Sequence, residues 1–212
     1  MSTPAEAATA AIPLTAKGRA TRARLLACAR EEAIAHGGHL EIAGVARAAG
    51  VAPSLVHRYF GSKAGLVGAL VNEFFDRFHA EVLDVDLNEE GDWATHERLR
   101  LELGVRFHYA DAFAVVLYAQ LGREAEVART EAARIATVIE HAATSIRRAQ
   151  RLGELPAGVD PKLAGAAMFG AIQRVMVEVL GRDPLPPAEQ VIDVLWRQVA
   201  ASVGIDPGHG QK

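Results

Sequence analysis

Cysteine occurs once, as Cys28, in a chain of 212 residues. An intramolecular disulfide is therefore excluded, no second thiolate stands at metal-ligand spacing, and a reducing cytoplasm fits. No run of about 18 uninterrupted apolar residues occurs, so no segment is expected to span a bilayer. Met1 to Ala16 has neither Lys nor Arg and no long apolar stretch, so a signal peptide is not expected there. Alternating apolar and polar runs closed by hairpin dipeptides are missing too, which argues against a β-sheet. The pair in HGGH, His36 to His39, resembles metal-ligand spacing, but it has no third ligand nearby, and Cys28 has no activating base. No catalytic residue, metal or cofactor is expected.

Apolar residues at helical spacing are plentiful. Half the chain is hydrophobic, enough for one sizeable core or for a small domain beside a larger one. The recurrence predicts an all-α fold. Residues 1–16, rich in Ala, Thr and Pro, are expected to form a disordered tail. A first helix should start near Lys17, bury Leu25, Leu26, Ala29 and Ala33, and stop at Gly37 and Gly38. Two short helices fit 41–48 and 53–60, joined through Gly50. Ser62 is placed to cap a fourth helix whose stripe Leu66, Leu70, Phe74, Phe78 and Val82 runs at i, i+4 spacing. Val67, Val71 and Phe75 widen that stripe, so this helix should be covered on more than one side, as a connector between two domains. Asp92, Asp111 and Asp160 stand at N-cap positions, the last before Pro161. Helices are expected near 92–109, 111–120, 123–151, 161–180 and 187–203, and a short tail over 205–212.

Charge is spread unevenly. The net charge is only −3, yet residues 1–70 hold eight Lys and Arg against four Glu, and the remainder holds 15 against 22. A basic N-terminal part on an acidic remainder points to a polyanion at one end only. The stretch AGVAPSLVHRYFGSK, Ala49 to Lys63, sharpens this reading. With Val56 at the centre of a helical wheel, Tyr59 and Phe60 lie on its side, whereas Ser54, His57 and Arg58 face away. A short helix anchored by one face, with small and basic residues outward, suits a major groove ~12 Å wide. Ser54 is placed to donate to phosphate or a base edge, Arg58 to phosphate or guanine, and His57 to phosphate. The amides that open the next helix, beside Lys63, form an anion site. The basic KGRATRAR, Lys17 to Arg24, can follow the sugar-phosphate edge. Exposed Arg and His on a short helix are usually just solvated, so the weight rests on the pattern of the whole stretch.

That stretch, Val45 to Leu66 (VARAAGVAPSLVHRYFGSKAGL), resembles the helix-turn-helix and the start of the fourth helix in the TetR family of bacterial transcriptional regulators. Its most typical part is Y-F-x-S-K-x-x-L. By motif the resemblance covers about the first 80 residues; beyond them it rests on helix count and on two long apolar helices at the end. It implies a three-helix DNA-binding domain over 17–61, followed by a connector helix with a ligand-binding and dimerisation domain over 62–204. The DNA-contacting set is then Arg24, Pro53, Ser54, Leu55, His57, Arg58 and Lys63. The implied activity is that of a homodimeric repressor, released from near-palindromic double-stranded operator DNA by a small apolar or aromatic effector. The chain departs from the family pattern at Glu41, where Thr or Ser is common near a phosphate, and at His57 and Arg58, where Tyr and His are usual. Pro53 and Leu55 replace more polar residues, which moves base reading toward thymine methyls.

In the C-terminal part, LAGAAMFGAIQRVMVEVL, Leu163 to Leu180, is apolar around most of its circumference and needs two covers. One is its own domain, and the other is expected to be a second subunit, met through Ala166, Gly170, Gln173, Val177, Ile192, Trp196 and Val199. A monomeric core is the plainer reading of the same stripes. The residues expected to line an effector cavity are Phe74, Phe78, Leu103, Phe107, Phe113, Tyr118, His141, Gln173 and Met176, although most such aromatics are ordinary core. A rival assignment is a helical ligand-binding or scaffold protein whose DNA module is inactive, with Glu41 as the feature in its favour.

Overall fold

The computed structural model describes residues 15–87, 91–119 and 125–208, and every regular element among them is helical. These are α1 (Ala16–Ala35), α2 (Ile42–Ala48), α3 (Pro53–Phe60), α4 (Lys63–Phe78), a π-helical turn (His79–Leu83), α5 (Trp93–Ala110), α6 (Ala112–Ala119), α7 (Ala125–Leu152), α8 (Pro161–Leu180) and α9 (Ala188–Val203). The expected N-terminal tail lies outside the described residues except for Thr15 and Ala16, which begin α1: the Thr15 hydroxyl accepts from the Gly18 amide at 3.1 Å.

Helices α1 to α3 form a small unit around Leu25, Ala29, Val45 and Val56, all fully buried. Pro53 opens α3 at a position where a missing N–H costs nothing and its fixed φ is already helical. The helix stops at Gly61, whose φ of +73° a side chain would strain. That turn frees Ser62 to cap α4 by accepting from the Gly65 amide at 3.0 Å. Helix α4 then continues through the π-helical turn as one rod, ~30 Å long at 1.5 Å per residue. It buries Leu66, Val67, Leu70, Val71, Phe74 and Phe75, residues that point to more than one side, as expected of a connector.

The larger part is held by its caps and by one close crossing. Asp92 and Asp160 accept from the first amides of α5 and α8. A Cβ added to Gly165 would lie 3.1 Å from the Ile139 carbonyl and 3.3 Å from the Ala142 methyl, so glycine is what allows α8 to seat on α7. By length and composition α8 is apolar enough to cross a membrane, with mean hydropathy 1.5, and a third of it is buried inside the chain. Its buried residues, among them Ala164, Met168, Met176 and Val179, serve the packing against α7 and α9.

Two expectations need correction here. Ile192, Trp196 and Val199, assigned to a subunit interface, are buried inside the chain's own core. Helix α9 spends that stripe on α5 and α8, and the Trp196 indole donates to the Pro207 carbonyl at 2.8 Å beneath the Arg98 guanidinium. That bond also shows that the segment after α9 is not a free tail at its start, since Ile205 packs on the core. Of the remaining interface set, Ala166 and Gly170 are exposed, and Gln173 and Val177 are half-buried.

Candidate nucleic-acid face and effector cavity

Helix α3 presents the face that its wheel predicts. Val56 is buried and Tyr59 and Phe60 pack on the core, whereas Pro53, Ser54, His57 and Arg58 are exposed and Leu55 is half-buried. The Arg22 guanidinium lies 5.2 Å over the Phe60 ring and ties α1 to α3. Arg24, Arg58 and Lys63 are exposed and have no partner among the described residues, and the same holds for Arg47 at the end of α2, which the sequence reading passed over. His57 is more committed than expected, because its Nδ1 lies 3.3 Å from the Gly61 carbonyl. With Nδ1 donating there, a neutral ring offers a phosphate only an acceptor, and His57 needs a second proton to donate. Glu41 precedes α2 without capping it, and its carboxylate turns to His39 Nε2 at 3.3 Å. Both side chains are well exposed, at 68% and 70%, so the pair moderates the carboxylate without removing it.

Between this unit and the rest lies a charged seam centred on Asp111, whose side chain is 5% exposed. Its two oxygens accept from Arg30 of α1 and Arg77 of α4, and one of them also accepts from the Phe113 amide at 2.8 Å, which caps α6. Burial pushes the Asp111 carboxyl up, but the hydrogen bonds from Arg77, Arg30 and Phe113 and the Arg30 charge outweigh it and hold it below the usual Asp value. The two guanidiniums also stack, Arg30 over Phe113 at 5.2 Å and Arg77 over Phe107 at 5.4 Å.

Beyond the seam is a cavity of about 100 Å³ lined by α4, the π-helical turn, α5, α6, α7 and α8. Six expected residues stand on its wall: Phe74, Phe78, Tyr118, His141, Gln173 and Met176. Leu103, Phe107 and Phe113 do not. Leu103 packs on the core, Phe107 meets Phe74 and Phe78 edge-on at 5.3 and 5.5 Å, and Phe113 is fully buried under Arg30. Helical spacing marked these two aromatics as buried, but they back the seam and form a layer behind the wall. His108 of α5, which the sequence also offers as a polar group near the cavity, is on the wall, and wall residues that escaped the sequence reading include Glu97 and Arg100 of α5 and Met168, Phe169 and Ile172 of α8. The signal was present: 168, 172 and 176 repeat at i+4 on α8, and 97, 101, 104 and 108 share one face of α5.

The polar groups of the wall are mostly engaged with one another. Arg100 pairs with Glu97 at 3.2 Å. Burial pushes the Glu97 carboxyl up, against the charge and hydrogen bond of Arg100. His108 has Nδ1 2.6 Å from the Gly104 carbonyl and Nε2 3.1 Å from the Tyr118 hydroxyl. Burial pulls His108 down more than the Gly104 bond and the Asp111 charge raise it. His141 is also lowered, by burial and by the charges of Arg100 and His79, against Asp84. Among the described residues no group of three or more His, Cys, Asp and Glu is placed to hold a metal.

Residues 25–70 match the family model for bacterial regulatory proteins of the tetR family. No curated protein matches the chain by sequence. Among solved structures, the chain resembles SmeT, the repressor of the Stenotrophomonas maltophilia multidrug efflux pump SmeDEF, with 18% identity over 90% of this chain and 96% of that one and a TM-score of 0.72. It also resembles the transcriptional regulator FadR from Bacillus subtilis in complex with stearoyl-CoA, with 17% identity over 90% and 99% and a TM-score of 0.68. A third is RolR in complex with resorcinol, with 20% identity over 91% of each chain and a TM-score of 0.68. At such identities the likeness establishes the fold, and the matched motif lies on α1 to α4, where the exposed face of α3 was found. Residues 25–70 thus carry the N-terminal module of the tetR family of bacterial regulatory proteins, and the chain as a whole shares the fold of these solved regulators.

Proposed function

We propose that this chain is a cytoplasmic DNA-binding repressor, a homodimer on a near-palindromic operator, released by a small and largely apolar effector held in the cavity. The observation that carries this reading is the connection of the two sites by one rod. The first turn of α4 lies beside the exposed cations Arg58 and Lys63, and its far end supplies Phe74, Phe78 and Val82 to the cavity wall. A guest that moves α4 changes the separation of two recognition helices, and a few kcal/mol of coupling alters occupancy some 5- to 150-fold. The seam offers a second route, since Asp111 joins the start of α6 to α1 and α4, and Tyr118 of α6 is on the wall. The dimer is supported by the outer side of α8, where Leu163 is 72% exposed beside exposed Ala166, Ala167 and Gly170. In relatives of this fold the bound ligands range from stearoyl-CoA to resorcinol. The fold therefore leaves the chemical class of the effector to the wall.

The test is salt-dependent binding to a palindromic promoter fragment. Arg58→Ala and Lys63→Ala should each weaken binding and lower the slope of log affinity against log salt by ~0.9 if each neutralises one phosphate. Unchanged binding and slope in both variants would remove this face from the interface. Absence of binding by the folded wild type at low salt would favour the helical ligand-binding protein with an inactive DNA module. For the dimer, a Cβ at Gly170 meets nothing within 4 Å, so Gly170→Trp should leave the fold intact and shift sedimentation toward monomer. A wild type that is monomeric at micromolar concentration overturns the dimer.

A further inference from the structure

We infer that the cavity selects an uncharged single-ring aromatic molecule carrying one hydroxyl or carbonyl group, which His141 and Gln173 recognise. The inference rests on the effector site proposed above and narrows its ligand. Size comes first: about 100 Å³ approaches the ~150 Å³ of an engineered apolar cavity that holds benzene, which suits a single ring. Shape agrees, because Phe74, Phe75, Phe78, Tyr118 and Phe169 offer ring faces and edges to an aromatic guest, and Met168 offers an adaptable thioether.

Charge and hydrogen bonding then narrow the class. Glu97 and Arg100 are paired with each other, and His108 is held on both ring nitrogens by Gly104 and Tyr118. Arg100 is balanced by Glu97: although its Nε is buried with no hydrogen-bond partner, a carboxylate guest would set a second negative charge beside buried Glu97, and an amine a second positive charge beside Arg100. His141 and Gln173 differ from the rest of the polar wall: both are half-buried, both line the cavity, and neither has a hydrogen-bond partner among the described residues. Each can donate and accept, so together they satisfy a hydroxyl in both of its roles or give a carbonyl two donors. Burial keeps the His141 ring below its usual range and so uncharged near neutrality, which matches a neutral guest.

The experiment is calorimetric titration of the full chain with three rings of similar size: phenol, toluene and benzoate. Phenol should bind about tenfold more tightly than toluene, the worth of one or two hydrogen bonds, and at least tenfold more tightly than benzoate. In the double variant His141→Leu with Gln173→Leu, toluene binding should persist while the preference for phenol falls to about onefold. Persistent toluene binding shows that the cavity is still formed. Benzoate binding as tightly as phenol, a preference for phenol that survives the double variant, or no ring bound by folded protein would each overturn the inference. Operator binding, measured on the same preparation without any ring compound, tests the repressor reading separately. Loss of either result leaves the other standing.

Discussion

The two ends of α4 use charged residues in opposite ways. In the N-terminal unit that leads into its first turn, Arg24, Arg47, Arg58 and Lys63 are exposed with no partner among the described residues, and α3 turns its small and basic residues to solvent. Toward its last turns, charges face partners of opposite sign in Arg30 and Arg77 with Asp111 and in Arg100 with Glu97, and burial lowers His108 and His141. The dielectric explains the contrast. An exposed cation costs little in water and gains from releasing counterions when it meets a phosphate, whereas a buried charge without a partner costs several kcal/mol. One end is therefore suited to a polyanion, and the other to a guest that brings no charge.

The sharpest way to break this contrast is Phe74→Ala, where the core, the seam and the cavity meet. Phe74 is fully buried and packs against Phe75, Phe107, His108 and Phe113, so its truncation should cost ~3–5 kcal/mol in urea unfolding. A cost under ~2 kcal/mol would mean that the cavity collapses around the deletion. Next comes Asp111→Ala, which takes the buried carboxylate from two guanidiniums and should cost ~3 kcal/mol, the low end for a broken buried pair because Arg77 is a third exposed and both arginines keep Glu73, at 3.7 Å from Arg77 and 4.0 Å from Arg30. The lowered Asp111 carboxyl contributes fully above its ordinary value of 3.8, and that contribution fades as pH falls through the lower folded value. The stability gap between wild type and variant should accordingly narrow only below pH 3.8; a gap that closes at pH 5 would place the Asp111 stabilisation elsewhere.

Smaller effects sharpen the comparison from each end. Ser62→Ala removes the cap of α4 beside the exposed face of α3 and should cost ~1 kcal/mol, read as faster amide exchange in the first turn of the helix. On the cavity side, His108 and His141 are lowered from 6.5, so between that value and their folded values the unfolded chain binds more protons than the native one. Stability should be complete above pH 6.5 and decline as pH falls below it, and His141→Leu should make that decline shallower. An unchanged pH profile in this variant would show that another group titrates.

Legibility in the sequence followed the range of the interactions. The caps at Ser62, Asp92 and Asp160 act within three residues, and the helices they open begin where the sequence places them. The faces of α3 were readable because Val56, Tyr59 and Phe60 are separated by one turn. The cavity was readable in part: Phe74 and Phe78 reach its wall, whereas Phe107 and Phe113, with the same buried signature, back the seam. The same limit misplaced Trp196, whose stripe is apolar enough for a partner subunit but is used up inside the chain.

The sequence by itself determined that this chain is helical, which side of α3 faces out, and that the basic charge gathers at one end, because those properties depend on neighbours within one or two turns. Only the tertiary structure decided that Arg30 meets Asp111 from 81 residues away, that Glu97 and Arg100 lie on a cavity wall, and that His141 and Gln173 are left with hydrogen bonds to give. A helical period reports that a side chain is buried, but not which distant element buries it; that choice belongs to the packing of all the helices at once.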